Sequence, residues 1–154
     1  FMDAVDRKIL ALLQEDAALS IEKIAAKVHL SSTPCWKRIR RLEKDGVIQK
    51  RVALLDAEKV GAGVTVFVAI KTNQHNREWL DHFASSVEDM PEILDFYRMS
   101  GEIDYLLRVV VSDIAAFDDF YQRLISRVPL SDVTSSFAME KIKHTTALPI
   151  ATTE

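Results

Sequence analysis

Along the first 45 residues the apolar positions recur at helical spacing, and three helices follow from them. Val5, Ile9, Leu12 and Leu13 form one stripe and predict a helix over residues 3–16. Asp3 and Asp6 fall in its first turn, where the helix dipole favours acid. Ser20 is a good N-cap for a short second helix that buries Ile21, Ile24, Ala25 and Val28. His29, Leu30 and Ser31 make a tight connection. Ser31 or Ser32 then caps a third helix, with Pro34 in its first turn, where a missing N–H costs little. That helix runs to about Asp45, and Gly46 stops it.

The period then changes. Residues 47–55 alternate and predict a strand, and residues 56–63, with Gly61 and Gly63, read as a hinge. Residues 65–72 are rich in β-branched side chains. Residues 76–88 return to helical spacing through Trp79, Leu80, Phe83 and Val87, up to the break at Pro91. Residues 93–99 and 105–111 predict two strands around the turn Ser100-Gly101-Glu102-Ile103-Asp104. A helix over 113–128 carries Phe117, Phe120, Tyr121, Leu124 and Val128, and Pro129 ends it. A last long strand spans 133–144. The order β-α-β-β-α-β is that of a ferredoxin-like plait. The expected fold class is therefore α+β: a three-helix, winged-type helix-turn-helix over 1–48, a strand and hinge over 49–64, and a plait over 65–154.

Composition adds the charge pattern. The chain of 154 residues is 48% hydrophobic and has a net charge of −3. Residues 1–51 hold 11 Lys/Arg against 7 Asp/Glu, whereas residues 52–154 hold 9 against 16. A basic first third on an acidic remainder suits a nucleic-acid module joined to a part that avoids phosphate. Within the third helix, Cys35, Ile39 and Leu42 share a narrow arc that must face the core. Lys37, Arg40, Arg41 and Lys44 cluster opposite, with Thr33 beside them and Arg38 between the faces. Cations there suit phosphate, and Ser31, Ser32, Thr33 and Trp36 to Arg40 place hydrogen-bonding groups near the helix start, where base edges are read. A basic stripe can also be no more than a solvated face. The second helix, the short turn and the charge split favour a helix-turn-helix. Trp36 suits stacking on sugar or phosphate and half-buried packing equally.

Other chemistry finds little footing. The single Cys35 cannot form an intrachain disulfide, and its place on the apolar arc suits a small core residue better than a redox sensor. His29, His75, His82 and His144 lack ligand spacing, so no metal site is expected. No phosphate-cradling glycine loop, GxSxG or HExxH occurs, and no acid–base pair suggests an enzyme. No apolar run approaches the roughly 20 residues that span a bilayer. The start lacks a basic-then-apolar leader pattern, and a cytoplasmic location is expected.

The run Leu30-Ser31-Ser32-Thr33-Pro34-Cys35-Trp36-Lys37-Arg38-Ile39-Arg40-Arg41-Leu42-Glu43 resembles the recognition-helix signature of the Lrp/AsnC (feast/famine) regulators. So do Asp6-Arg7-Lys8-Ile9-Leu10 before it and Ala53-Leu54-Leu55-Asp56 after it. The likeness continues through Ser100-Gly101-Glu102-Ile103-Asp104-Tyr105-Leu106-Leu107 and Met139-Glu140-Lys141-Ile142-Lys143. One departure is His29, where the family commonly has glycine. The resemblance implies an ACT-like plait that pairs into dimers, assembles further into octamers or similar rings, and binds a small amino acid as effector. It implies double-stranded DNA with a palindromic operator as the partner. It places the effector against Met99, Ser100, Gly101, Asp104, Tyr105 and Leu106, with Ser136, Phe137 and Ala138 as a second lining segment. On its residues alone, Asp104 reads equally as a turn-stabilising carboxylate. A DNA packer without ligand control is the remaining alternative.

Overall fold

The computed structural model describes residues 2–151. The chain divides into two compact units. The helical unit comprises residues 2–53 together with 142–151, and the other unit is Leu54–Lys141. The expected division differs at its C-terminal end, which returns to the helical unit. The cause is local: the Gln14 carboxamide donates to the Leu148 carbonyl at 3.0 Å and accepts from the Leu148 N–H at 2.6 Å. Residues 1 and 152–154 of the expected domains lie outside the described residues.

The helical unit contains α1 (Ala4–Glu15), α2 (Ile21–Lys27) and α3 (Ser32–Lys44). Asp3 caps α1 in a reciprocal box: its carboxylate accepts from the Asp6 N–H at 2.8 Å, and that of Asp6 accepts from the Asp3 N–H at 3.2 Å. The Ser20 hydroxyl caps α2 by accepting from the Lys23 N–H. Helix α2 ends in a Schellman motif, in which Leu30 N–H reaches the Ala25 carbonyl at 2.9 Å and His29 N–H the Ala26 carbonyl at 3.4 Å. His29 therefore takes the left-handed conformation at φ 58°. Ser31 occupies the N-cap position of α3, but its side chain makes no cap bond, contrary to expectation. Ile9, Ile24, Ala25, Val28, Cys35 and Ile39 make the core.

The expected strand over 47–55 does not form. After Gly46, at φ 77°, Ile48 N–H closes onto the Leu42 carbonyl and Ile48 packs on the helical core. The chain beyond is irregular, and Val52, Leu54 and Leu55 are exposed. Alternation alone cannot hold a strand, since its N–H and C=O groups need a neighbouring ladder. No wing strand is thus present among the described residues.

The second unit is the plait, made of β1 (Val64–Lys71), α4 (Arg77–Val87), β2 (Ile93–Arg98), β3 (Tyr105–Val111), α5 (Ile114–Arg127) and β4 (Asp132–Phe137). Its sheet has the order β2-β3-β1-β4 and is antiparallel at each pairing. Strand β4 is shorter than the expected 133–144. Phe137 already pairs with Val66, Ala138 N–H takes the Thr65 carbonyl, and beyond Val64 no partner strand continues. Val66, Val68, Ile70, Leu107 and Val109 alternate inward and meet Phe83 of α4 and Phe120 and Leu124 of α5. The sheet's other face carries Phe67, Ala69, Leu106, Val110 and Tyr97.

Candidate DNA interface and effector region

At about 100° per residue, Thr33, Lys37, Arg40 and Lys44 fall within roughly 60° of one another on α3. All four are exposed, whereas Cys35, Ile39 and Leu42 are 2% exposed or less. Lys37 and Lys44 have no ion-pair partner among the described residues. Trp36 forms one shoulder of this face. Its indole is half exposed, and the Arg40 guanidinium lies 5.8 Å from the ring centroid. Arg40 also pairs with Glu43 at 3.2 Å, and Glu43 in turn takes Arg51 at 3.1 Å. Ser31 and Thr33 are exposed and Ser32 is half-buried at the helix start.

The other shoulder departs from the expected arrangement. Arg38 and Arg41 turn toward α1 and not toward the open face. Arg38 Nη1 donates to Asp3 at 2.7 and 2.9 Å and to Asp6 Oδ1 at 3.0 Å. Arg41 Nη2 pairs with Asp6 Oδ2. Among the described residues, Asp6 is the buried charged one, at 0% exposure. Its place in the first turn suggested only a helix-dipole role. The arginines that hold it lie 32 and 35 residues away, so no local pattern could disclose them. The Arg38 guanidinium, by hydrogen bond and charge, holds the Asp3 carboxyl below its ordinary range. Burial pushes the Cys35 thiol up, which fits an inert core residue.

In the plait, the loop from Met99 to Asp104 is pinned at the end of β1. Asp104 Oδ2 accepts from the Thr72 N–H at 2.8 Å, Asp104 N–H donates to the Ile70 carbonyl, and Met99 N–H donates to the Asp104 carbonyl. Gly101 adopts φ 122°, which demands glycine, and open space lies where a Cβ would stand. Met99, Ser100 and Gly101 are exposed. A polar cleft of about 360 Å³ adjoins the loop, where Arg77, Arg98, His75 and Asp104 meet the edge of Tyr105. The Tyr105 ring is otherwise in the core, 4% exposed and stacked on Phe96 at 5.8 Å. Leu106 points to the open sheet face, opposite Ala69 and Tyr97.

Ser136, Phe137 and Ala138 lie at the other end of the sheet. Tyr105 pairs with Ile70 and Phe137 with Val66, four residues apart on β1, which is roughly 13 Å. Ser136 lies opposite Phe67 on the open face, whereas the Phe137 ring meets Phe117 of α5 at 5.2 Å. One chain therefore does not bring the two expected lining segments together.

A family model described as the Lrp/AsnC ligand binding domain matches residues 65–148, and a winged helix-turn-helix DNA-binding model matches residues 2–49. The DNA-binding transcriptional activator DecR of Escherichia coli (strain K12) is 58% identical over 150 residues, 97% of this chain and 99% of that one. The glutamate uptake regulatory protein of Zymomonas mobilis is 49% identical over 152 residues, covering 99% and 93%. The crystal structure of an AsnC family transcriptional regulator from Agrobacterium tumefaciens superposes with a TM-score of 0.93 at 59% identity, covering 96% of this chain and 97% of that one. That of a Neisseria meningitidis transcriptional regulator in complex with L-Met gives 0.90 at 37% identity, covering 97% of each.

Proposed function

Because the chain belongs to the Lrp/AsnC family of DNA-binding transcription regulators, we propose that two copies place their α3 helices in successive major grooves of a palindromic operator, under control of a small amino acid. The protein is a regulator and not an enzyme. The observation that carries the groove assignment is the exposed arc of Thr33, Lys37, Arg40 and Lys44 opposite a fully buried one. Phosphate contacts from Lys37 and Lys44 position the helix, and Ser31, Ser32 and Thr33 stand where base edges come within reach. Among the described residues no helix is long and apolar enough to cross a membrane, and the work assigned to the chain lies with DNA in the cytoplasm.

The effector site is the second part of the proposal. An apolar open sheet face favours a second copy as its cover. Such pairing supplies a route by which the Met99–Leu106 segment of one copy meets other surfaces, including Ser136–Ala138 of another, in a dimer or a larger ring such as an octamer. The L-Met complex of the Neisseria relative supports an amino acid as the ligand class. Binding that favours one packing of copies over another shifts operator occupancy by its differential affinity for the two. The test of the groove is Lys37→Ala and Arg40→Ala. Each is expected to weaken DNA binding and to lower its salt slope by about 0.9 for every phosphate left without its cation. Unchanged binding in both would remove α3 from the groove. For the effector, a thermal-shift screen of the twenty amino acids on the full chain should give one or a few stabilising ligands. Calorimetry should show that response abolished in Asp104→Ala, and a retained response would remove Asp104 from the site.

A further inference from the structure

Five cations lie on α3, yet two of them, the half-buried Arg38 and the more exposed Arg41, turn their guanidinium groups onto carboxylates of α1 and its cap. Lys37, Arg40 and Lys44 form the open face, with Arg41 about 40° and Arg38 about 100° around the helix from Lys37. Both outlying arginines meet the same pair of carboxylates. Asp6, fully buried, holds one on each oxygen, and Asp3 takes Arg38 on both of its own. The carboxylates are fixed in turn, because each also accepts the other's backbone N–H in the capping box of α1. Two negative charges thus offset two positive ones across the contact of α1 with α3.

We propose that Asp3 and Asp6 are an internal counter-anion for the recognition helix. They withhold Arg38 and Arg41 from the phosphate backbone and fix the roll of α3, so that the helix meets DNA through Thr33, Lys37, Arg40 and Lys44. Phosphate contacts raise affinity for every sequence alike, and base contacts discriminate. Two cations kept off the backbone therefore lower non-specific binding more than operator binding, and the ratio of the two rises. Asp6 and Asp3 act through the arginines and touch no DNA. They are positioning residues that set specificity. The inference rests on α3 being the groove reader.

The test uses the full chain with two duplexes of equal length: one selected from a random library by the wild-type protein, and a scrambled one. Affinity is measured between 50 and 200 mM KCl. Asp3→Asn acts at a half-exposed carboxylate and retains an N-cap acceptor, and both it and Asp6→Asn are read only after circular dichroism shows them native. Either variant is expected to bind the scrambled duplex more tightly at 50 mM and to discriminate less. Each arginine released should deepen the fall in affinity across that salt range by about 3.5-fold. Asp6→Asn combined with Arg41→Gln should restore the wild-type slope. A merely structural role would weaken both duplexes together and leave the slope alone. Unchanged slope and discrimination in folded Asp3→Asn would overturn the proposal. So would a lower slope in Arg38→Gln and Arg41→Gln made in the wild-type background, since those arginines would then already touch phosphate. A wild-type chain that binds neither duplex would sink the groove reading, and the counter-anion with it.

Discussion

His29 occupies the left-handed position of the Schellman turn between α2 and α3, at φ 58°. A side chain there costs about 1 kcal/mol relative to glycine. His29→Gly is expected to raise the melting temperature of the helical unit by about 4–8 °C in calorimetry. A fall would show that the imidazole makes a stabilising contact. Asp3 supplies a pH dependence whose sign is fixed by its partner. Its folded pKa is lowered by Arg38, so its contribution is complete above the ordinary carboxylate range and is lost as pH falls through the lower folded value. Glu92, lowered by Arg123, behaves in the same sense. Thermal stability should drop on acidification below about pH 4, and Asp3→Asn should flatten that drop. An acid profile identical to wild type would remove the Arg38 pair from the account. These residue roles were unequally legible. His29 stood out because the resembled family commonly has glycine there, whereas the burial of Asp6 depends on arginines far away in the chain.

The helices were legible because their buried arcs repeat at 3.6 residues. Cys35, Ile39 and Leu42 face inward as their spacing requires, and Phe83, Phe120 and Leu124 do the same in the plait. Strands are a different case, because half of what makes them lies elsewhere. Residues 47–55 alternate enough to suggest a strand and 138–144 extend the pattern of β4, yet beyond the Ala138 N–H bond to the Thr65 carbonyl neither stretch finds a ladder, and neither is a strand. Parity survives where a ladder exists. Val66, Val68 and Ile70 are fully buried while Phe67 between them is 38% exposed. Two substitutions separate the faces. Val68→Asp, buried against α4 and α5, should unfold the plait by circular dichroism. Phe67→Asp should leave each chain folded, and an unfolded Phe67→Asp would mean that this face is also core.

At the scale of the whole molecule, the proposed assembly turns on that open face. It is apolar through Phe67, Ala69, Leu106, Val110 and Tyr97, and Arg108 crosses it to Asp95 at 2.5 Å. Phe67→Asp should shift the mass measured by light scattering from dimer or larger to monomer, and an unchanged mass would place the interface elsewhere. The expected effector segments were recognisable as sequence, but their meeting place was not, because Tyr105 and Phe137 lie toward opposite ends of β1.

Cys35 sits in the middle of this organisation with a thiol that is fully buried and pushed toward its protonated form. It is the sole cysteine of the chain, and it belongs to the helical unit. Its alkylation by a small reagent therefore requires the helical core to open, and the plait contributes no signal. The thiol is a built-in clock. At low denaturant its labelling rate reports the opening free energy of the DNA-binding half alone. Labelling should slow when operator DNA is bound, because a ligand that favours the closed unit lowers the open population in proportion to its occupancy. A rate insensitive to saturating operator would mean that Cys35 becomes exposed by a motion unconnected with DNA binding.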